Sequence, residues 1–316
     1  MKYCLPYMGS KRKIAGNIVN YILKHNPECK YIYDLFGGSG AMSFEFIQRH
    51  QIKSVVYNEL NTGVVELLKK IRSDGVTKDF YKWVSREDFK KYKEDNSWYG
   101  GLITTCWSFG NNQRTYLYGK DIENLKKEAT EYLFENGYLE NMCTETRVKL
   151  LKKFKEKEKI NNRFELQQLE QLQRLERLEQ LERLEQLQQL RQLEQLEQLQ
   201  RLERLEQLQR LELQNNSYET VVIDTPIEET IIYLDPPYKN TVKYQKDICH
   251  DKLHDYIKNS KYKIYISSYQ SGFEEVYSIK HRSTLSATEN NDVVERLFCN
   301  KEENKISTFE QITFDF

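Results

Sequence analysis

The stretch Tyr31-Ile32-Tyr33-Asp34 reads as a short strand and runs directly into Leu35-Phe36-Gly37-Gly38-Ser39-Gly40. A helical pattern follows from about Ala41 to His50, and then a second apolar run, Ser54-Val55-Val56-Tyr57, which ends at Asn58-Glu59. Strand, glycine-rich turn, helix and strand in this order specify an open α/β sheet. In such sheets ligands sit outside the carboxyl ends of the strands. Glycines in the first turn let the backbone approach a bound nucleotide closely. An acid at the tip of the second strand, roughly 20 residues beyond the glycines, is where a ribose hydroxyl is held, and Glu59 occupies that place.

A dinucleotide site would require G-x-G-x-x-G. Here Gly38-Ser39-Gly40 is followed by Ala41, Met42 and Ser43, so the third glycine is missing. S-adenosylmethionine carries a ribose and an adenine but no phosphate, and the shorter loop suits it. A second signal lies far along the chain. The β-branched and aromatic run Thr230-Ile231-Ile232-Tyr233-Leu234 reads as a buried strand and leads into Asp235-Pro236-Pro237-Tyr238. Proline fixes φ and lacks an N–H, so this turn is stiff and its carbonyls remain acceptors. A planar base with an exocyclic amino group suits the tetrapeptide: Asp235 and the Pro236 carbonyl accept its two N–H bonds while Tyr238 stacks on the ring. The same four residues also make an ordinary strand-to-loop turn. Their pairing with the glycine loop favours the chemical reading.

With these motifs together, the chain resembles the Dam-like (D12 class, alpha group) DNA adenine-N6 methyltransferases, whose order is cofactor loop, target-recognition region, then D-P-P-Y. The resemblance covers roughly residues 3–75, 100–120 and 230–300. It implies an S-adenosylmethionine-dependent, site-specific enzyme acting on double-stranded DNA, as in restriction–modification, in a bacterial or phage-encoded setting. The family's aromatic-x-Gly-Gly-Lys segment corresponds to Pro6-Tyr7-Met8-Gly9-Ser10-Lys11-Arg12, with Ser10 in place of the second glycine. Tyr7 and Lys11 thereby inherit a cofactor-contact role, and Asp34, Phe36, Gly38 and Gly40 the loop role. The family's ribose acid is usually Asp in an Asp-x-Asn pattern; Glu59-Leu60-Asn61 keeps the pattern with a longer acid. Asp235, Pro236, Pro237 and Tyr238 match the catalytic motif without change, and Asp235 also borders the cofactor.

Ser10 is a good N-cap, and Ile14, Ile18 and Ile22 fall on one face of the helix expected to follow. Lys11, Arg12 and Lys13 would then occupy its first turn, where positive charge opposes the helix dipole and points to an anionic partner nearby. Arg12 and Lys13 are accordingly candidate DNA contacts. The chain of 316 residues has zero net charge, but unevenly distributed. Residues 1–60 hold 8 basic and 4 acidic side chains, residues 215–316 hold 12 and 17. DNA contact is therefore expected from the N-terminal half and the middle, with salt-sensitive affinity. The 6 cysteines form no C-x-x-C pair, which argues against a zinc site or a disulfide framework. No apolar run is long enough to span a membrane and no signal peptide is evident, so a reducing cytoplasm is the expected compartment.

Residues 76–165 are lysine-rich and mostly helical in pattern, and they enclose Thr105-Cys106-Trp107-Ser108-Phe109-Gly110-Asn111-Asn112-Gln113-Arg114-Thr115-Tyr116-Leu117-Tyr118-Gly119-Lys120. Amides pair bidentately with adenine and Arg with guanine in the major groove, and aromatics fill the gap left by an extruded nucleotide. Ser108, Asn111, Asn112, Arg114 and Tyr116 are the candidate DNA contacts here; the alternative is a surface loop anchored by Trp107 and Phe109. From Leu166 to Leu211 leucine recurs at every third position among Glu, Gln and Arg, and Glu170–Leu181 recurs identically as Glu197–Leu208. All are strong helix formers. A period of three drifts about 60° per repeat around a helix of 3.6 residues per turn, so the leucines visit every face and form no coiled-coil seam. A dispensable helical insertion, with self-association through 166–213 as the alternative role, is the expectation.

The expected fold is thus a Rossmann-like methyltransferase sheet built from residues 1–75 and 215–316. Residues 76–165 would form a helical target-recognition lobe and 166–214 a long helical insertion. Further strands are expected at Lys263–Ser267, Thr308–Phe316 and Val293–Cys299. The expected reaction moves a methyl group to N6 of an adenine swung out of the duplex, without a metal. An N4-cytosine methyltransferase and an inactive DNA-binding scaffold are the alternatives.

Overall fold

The computed structural model describes residues 4–121, 123–124, 126–127, 210–237, 248–268, 271–282 and 292–302. Its strands are β1 Tyr31–Asp34, β2 Ser54–Asn58, β3 Leu211–Gln214, β4 Thr230–Leu234, β5 Lys263–Ser268, β6 Glu274–Arg282 and β7 Asp292–Cys299. They form one seven-stranded sheet in the order β3-β2-β1-β4-β5-β7-β6. The first five in this order are parallel to one another, and β7 runs antiparallel to both β5 and β6. The described helices are α1 Ala15–His25, α2 Ala41–Ile47, α3 Thr62–Asp74, α4 Arg86–Tyr92, α5 Trp98–Cys106 and α6 His250–Asn259. The sheet is Rossmann-like, as the alternation of strand and helix signals requires.

From β1 the chain steps to β2 and β3 in one direction; from β4 it steps to β5 in the other. Right-handed crossovers that step in opposite directions place their helices on opposite faces. The side chains obey this. Ile32, Val55, Tyr57, Ile231, Tyr233, Leu297 and Cys299 face one cluster with residues of α1, α2, α3 and α5. Tyr33, Val56, Ile232, Leu234, Ile264 and Ile266 face a second with Leu253 and Ile257 of α6. Between β1 and β4 the winding reverses, and the crevice outside their carboxyl ends is where such sheets bind ligands.

The chain from 76 to 118 packs on the first face. The α5 backbone lies so close to α3 that a Cβ on Gly101 would stand 1.9 Å from the Gly63 carbonyl oxygen. Phe80, Val84, Phe89, Leu102, Trp107, Tyr116 and Tyr118 belong to the same buried cluster as the strands.

Several elements differ from expectation. The first helix begins at Ala15 and has no side-chain cap. Ser10 instead donates to Ser39 Oγ at 2.8 Å, so Lys11, Arg12 and Lys13 precede the helix. A cap favourable for an isolated helix has yielded to a tertiary bond with the glycine turn. The second helix stops at Ile47, short of His50. The helical expectation also fails at the end of the leucine repeat, where Leu211–Gln214 is an edge strand pairing with β2. There leucine spacing drops from three to two, the period of a strand. Leu211 is buried and Leu213 packs beside it. Strand β6 has no counterpart in the expectations. Residues 166–209 and Thr308–Phe316 lie outside the described residues, as does Tyr238.

Candidate active site

The turn after β1 is held by packing against β2. Gly37 N–H donates to the Asn58 carbonyl at 2.8 Å, and a Cβ on Gly37 would lie 2.2 Å from the Tyr57 ring. Gly38 and Gly40 have φ of 47° and 77°, the left-handed region open to glycine. The Tyr57 hydroxyl donates to the Gly38 carbonyl at 2.8 Å, and burial pushes its ionisation well above the ordinary tyrosine range. Glu59 closes the turn from above. Its two oxygens accept from Gly38 N–H and from Asn61 N–H, both at 2.8 Å. Burial raises the Glu59 carboxyl, partly offset by the N–H groups of Asn61, Gly38 and Leu60.

The carboxylates of the cleft follow one rule of strand geometry. Residues two apart share a face, and the row Ile32, Asp34 continues the cluster-facing side of β1. Tyr57, Glu59 does the same for β2 and Tyr233, Asp235 for β4. Strand β7 runs the other way, so its early residues reach this edge, and Leu297 leads back to Glu295. The three neighbouring rows of β2, β1 and β4 therefore end in an acid, as does that of β7 beyond β5. Asp34 is 1% exposed and Glu295 4%. Asp34 Oδ2 accepts from Ser43 Oγ at 2.6 Å, while Oδ1 is buried with no hydrogen-bond partner. Burial raises the Asp34 carboxyl to about 7; the Ser43 bond lowers it, and the charges of Asp235 and Glu59 raise it further.

The N-terminal segment crosses this edge. Leu5 N–H donates to the Ser39 carbonyl at 2.9 Å, and the Tyr7 ring lies 3.5 Å from the position of a Cβ on Gly38. Lys11, 7% exposed, sends Nζ to Asp235 Oδ1 at 2.8 Å and to Glu295 Oε1 at 3.7 Å. The two sequence signals, 224 residues apart at Lys11 and Asp235, thus meet in one crevice. Tyr7 and Glu59 meet at Gly38, and Asp34 lies within reach of the charges of Asp235 and Glu59. Phe36 turns to the other face and packs against Tyr218, ring centroids 5.5 Å apart. Pro236 is buried and Pro237 half-buried.

An unpartnered, buried carboxylate oxygen with several acids and one lysine around it suits a cationic ligand. S-adenosylmethionine carries an ammonium and a sulfonium, so the residues present fit that group.

The segment 107–118 stands beside the same edge, because Asn61 Nδ2 donates to Gln113 Oε1 at 3.0 Å. Asn111, Gln113 and Gly110 all have positive φ, near 55–60°. The loop stabilises this backbone from within. Asn112 Oδ1 accepts from the N–H groups of Arg114 and Thr115, both at 2.9 Å. Ser108 Oγ donates to the Thr104 carbonyl at 2.6 Å and accepts from Gln113 N–H at 3.0 Å. The Tyr116 hydroxyl donates to the Val84 carbonyl at 2.7 Å, with the Arg86 guanidinium over its ring. Ser108 and Tyr116, expected as DNA contacts, are buried, and their hydroxyls frame the loop. Arg114 and Phe109 are exposed, and Asn111 is half-buried. Arg12 is half-buried and Lys13 exposed, both adjoining Lys11.

Ser43, Tyr57, Asn61 and Glu295 were not singled out by sequence reasoning. For Glu295 a signal existed: counting back by twos from Cys299 and Leu297 reaches it.

A mostly parallel, glycine-turned sheet with Asp34 and Asp235 at its winding reversal is consistent with a Rossmann-like methyltransferase. The family model of the D12 class N6 adenine-specific DNA methyltransferases matches residues 7–177, more than half of the chain, and the chain belongs to that family. The Asp235 turn lies beyond the matched residues and joins the site through Lys11. A protein of Haemophilus influenzae named "Putative methyltransferase" is 25% identical over 182 residues. That match covers 49% of this chain and 60% of the relative, so the chain spans less than two thirds of that protein's length. Among the described residues no helix is long and apolar enough to cross a membrane.

Proposed function

We propose that the protein transfers a methyl group from S-adenosylmethionine to the exocyclic N6 of an adenine in double-stranded DNA. The observation carrying this reading is that one N-terminal segment joins the two motifs across the β1/β4 reversal, Ser10 bonding Ser39 of the glycine turn and Lys11 pairing with Asp235. When bound, S-adenosylmethionine would supply an electrophilic methyl on its sulfonium, the amine being the acceptor and a neutral thioether the leaving group. Asp34 Oδ1 would accept from the cofactor's ammonium, whose charge would favour the ionised carboxylate against burial. Glu59 holds the ribose through lone pairs beyond those used on Gly38 and Asn61, since a carboxylate offers about four such sites. Tyr7 covers the face of the glycine turn.

Asp235 and the Pro236 carbonyl accept the two amino hydrogens of adenine. Lys11 occupies one lone pair of Asp235 Oδ1 and fixes the plane of the carboxylate. Holding both N–H bonds pulls the nitrogen lone pair out of conjugation and directs it at the methyl carbon. After transfer the nitrogen sheds one proton to water. Positioning is the main contribution of the chain. A base inside a duplex cannot reach such a crevice, so the nucleotide swings out and Tyr238 stacks on it. Arg12, Lys13 and Arg114 contact the backbone or base edges, with Asn111 and Asn112 shaping the loop that presents Arg114 and Phe109.

The test is nucleoside analysis of DNA after incubation with the protein and methyl-labelled cofactor. Label in N6-methyladenine is expected, and Asp235→Ala should reduce it by about a thousandfold or more, the scale of a lost transition-state contact. Label in cytosine, none in DNA, or a fully active Asp235→Ala protein would overturn the reading.

A further inference from the structure

Lys11 is shared between two carboxylates, and only one of them belongs to the adenine-binding turn. Glu295 lies on β7, the strand inserted antiparallel between β5 and β6. That reversal is what brings an early β7 residue to the carboxyl edge of the parallel strands. Its neighbour Arg296 faces the other way, where it pairs with Glu275 at 3.6 Å in an exposed rung. Glu295 instead shares the face of Leu297 and Cys299 and is 4% exposed. A carboxylate so placed in an apolar row is costly unless a cation meets it. Lys11 Nζ stands 3.7 Å from Glu295 Oε1 and 2.8 Å from Asp235 Oδ1.

We propose that Glu295 is a positioning residue for methyl transfer: it anchors Lys11 from the side and thereby sets the orientation and charge of Asp235. The inference rests on the function proposed above. A lysine paired with Asp235 alone would neutralise it and swing over its oxygens, competing with the adenine amino group. A lysine held from both sides orients Asp235 through Oδ1 and leaves the carboxylate with the negative charge that a strong acceptor needs. Glu295 touches neither substrate nor cofactor in this arrangement, and its effect passes through Lys11.

Size and charge separate this role from packing. Gln matches Glu in volume and lacks its charge; Asp keeps the charge and is one methylene shorter. We expect Glu295→Gln to lower the single-turnover rate at saturating cofactor by about tenfold or more, with KM for the cofactor changed less than about threefold. Glu295→Asp should retain more rate than Gln, in spite of the smaller side chain. In a Lys11→Met protein, Glu295→Gln should cost less than about twofold further, because residues acting through one another are not additive. The reverse order, Gln active and Asp impaired, assigns Glu295 to packing and overturns the proposal. So does an equal loss from Glu295→Gln in both Lys11 backgrounds, or a loss confined to cofactor KM. A native protein that methylates adenine while Glu295→Gln keeps full rate removes the positioning role alone. A native protein that methylates no adenine removes both.

Discussion

Two polar regions flank the same edge of the sheet and treat their polar atoms in opposite ways. On the cleft floor, Lys11 meets the carboxylates of Asp235 and Glu295, and Asp34 keeps a buried oxygen without a partner. In the 108–116 loop, Ser108, Asn112 and Tyr116 direct their side chains to the loop's own backbone, to α5 or to the stretch before α4. The floor is thus incomplete until a cation arrives, whereas the loop is complete and exposes only tips such as Phe109, 44% exposed, and Arg114. A pocket for a small charged ligand gains affinity by holding unfilled valences, at a cost to the empty fold. A surface for a long polyanion gains by rigid presentation of a few side chains. Asn61 joins the two, with its backbone N–H on Glu59 and its amide on Gln113.

The sharpest break should come at Gly37. A methyl there would meet the Tyr57 ring at 2.2 Å, and that ring is wholly buried and cannot retreat. Gly37→Ala should lower unfolding free energy by about 2–4 kcal/mol in urea titration and impair cofactor binding. A stable, binding-competent variant would show that the turn is not framed by β2.

Asp34→Asn tests the strained floor through pH. Burial holds the folded carboxyl at about 7 against its ordinary value of 3.8, so the folded state carries the extra proton between these values. Stability from this group is therefore full below about pH 4, falls as pH rises toward 7, and stays lost above. Asn does not ionise and escapes that loss. We expect Tm at pH 8 to rise by about 2–4 °C, with the gain fading toward pH 4. Cofactor affinity should drop by about tenfold, the scale of a hydrogen bond to a charged group. Unchanged affinity in calorimetry would remove Asp34 from the cofactor site.

The loop should respond more weakly and split by position. Asn112→Ala strips the acceptor from two N–H groups and should cost about 1 kcal/mol in thermal unfolding. Arg114→Ala should leave stability within about 0.5 kcal/mol yet weaken DNA binding, and lower the salt slope by about one unit. Equal effects of the two on stability would erase the distinction between frame and tip.

What could be read in the sequence was whatever local chemistry decides. Tyr31–Asp34, Ser54–Asn58 and Thr230–Leu234 announce themselves as strands by β-branched and aromatic content. Gly37, Gly38 and Gly40 mark the turn, and the identity of Asp235 and Lys11 suggested one site. What escaped depended on tertiary partners. Ser10 looks like a cap until Ser39 is beside it. Ser108 and Tyr116 look like exposed polar residues until Thr104 and Val84 carbonyls claim their hydroxyls. Glu295 sits in a strand whose direction, not its composition, carries it to the cleft. Strand β6, Glu274–Arg282, mixes charge with short apolar stretches and owes its extended form to pairing with β7.

Strand β3 has a consequence for how this gene can vary. Its four residues are clamped to β2 from Val55↔Leu211 to Asn58↔Gln214, with Asn216 bonded to Asn58 behind them. Whatever number of leucine triplets precedes it, the polypeptide is re-indexed at that clamp before it reaches Asp235. A change in copy number upstream would therefore leave the distance from the clamp to the Asp235 turn the same.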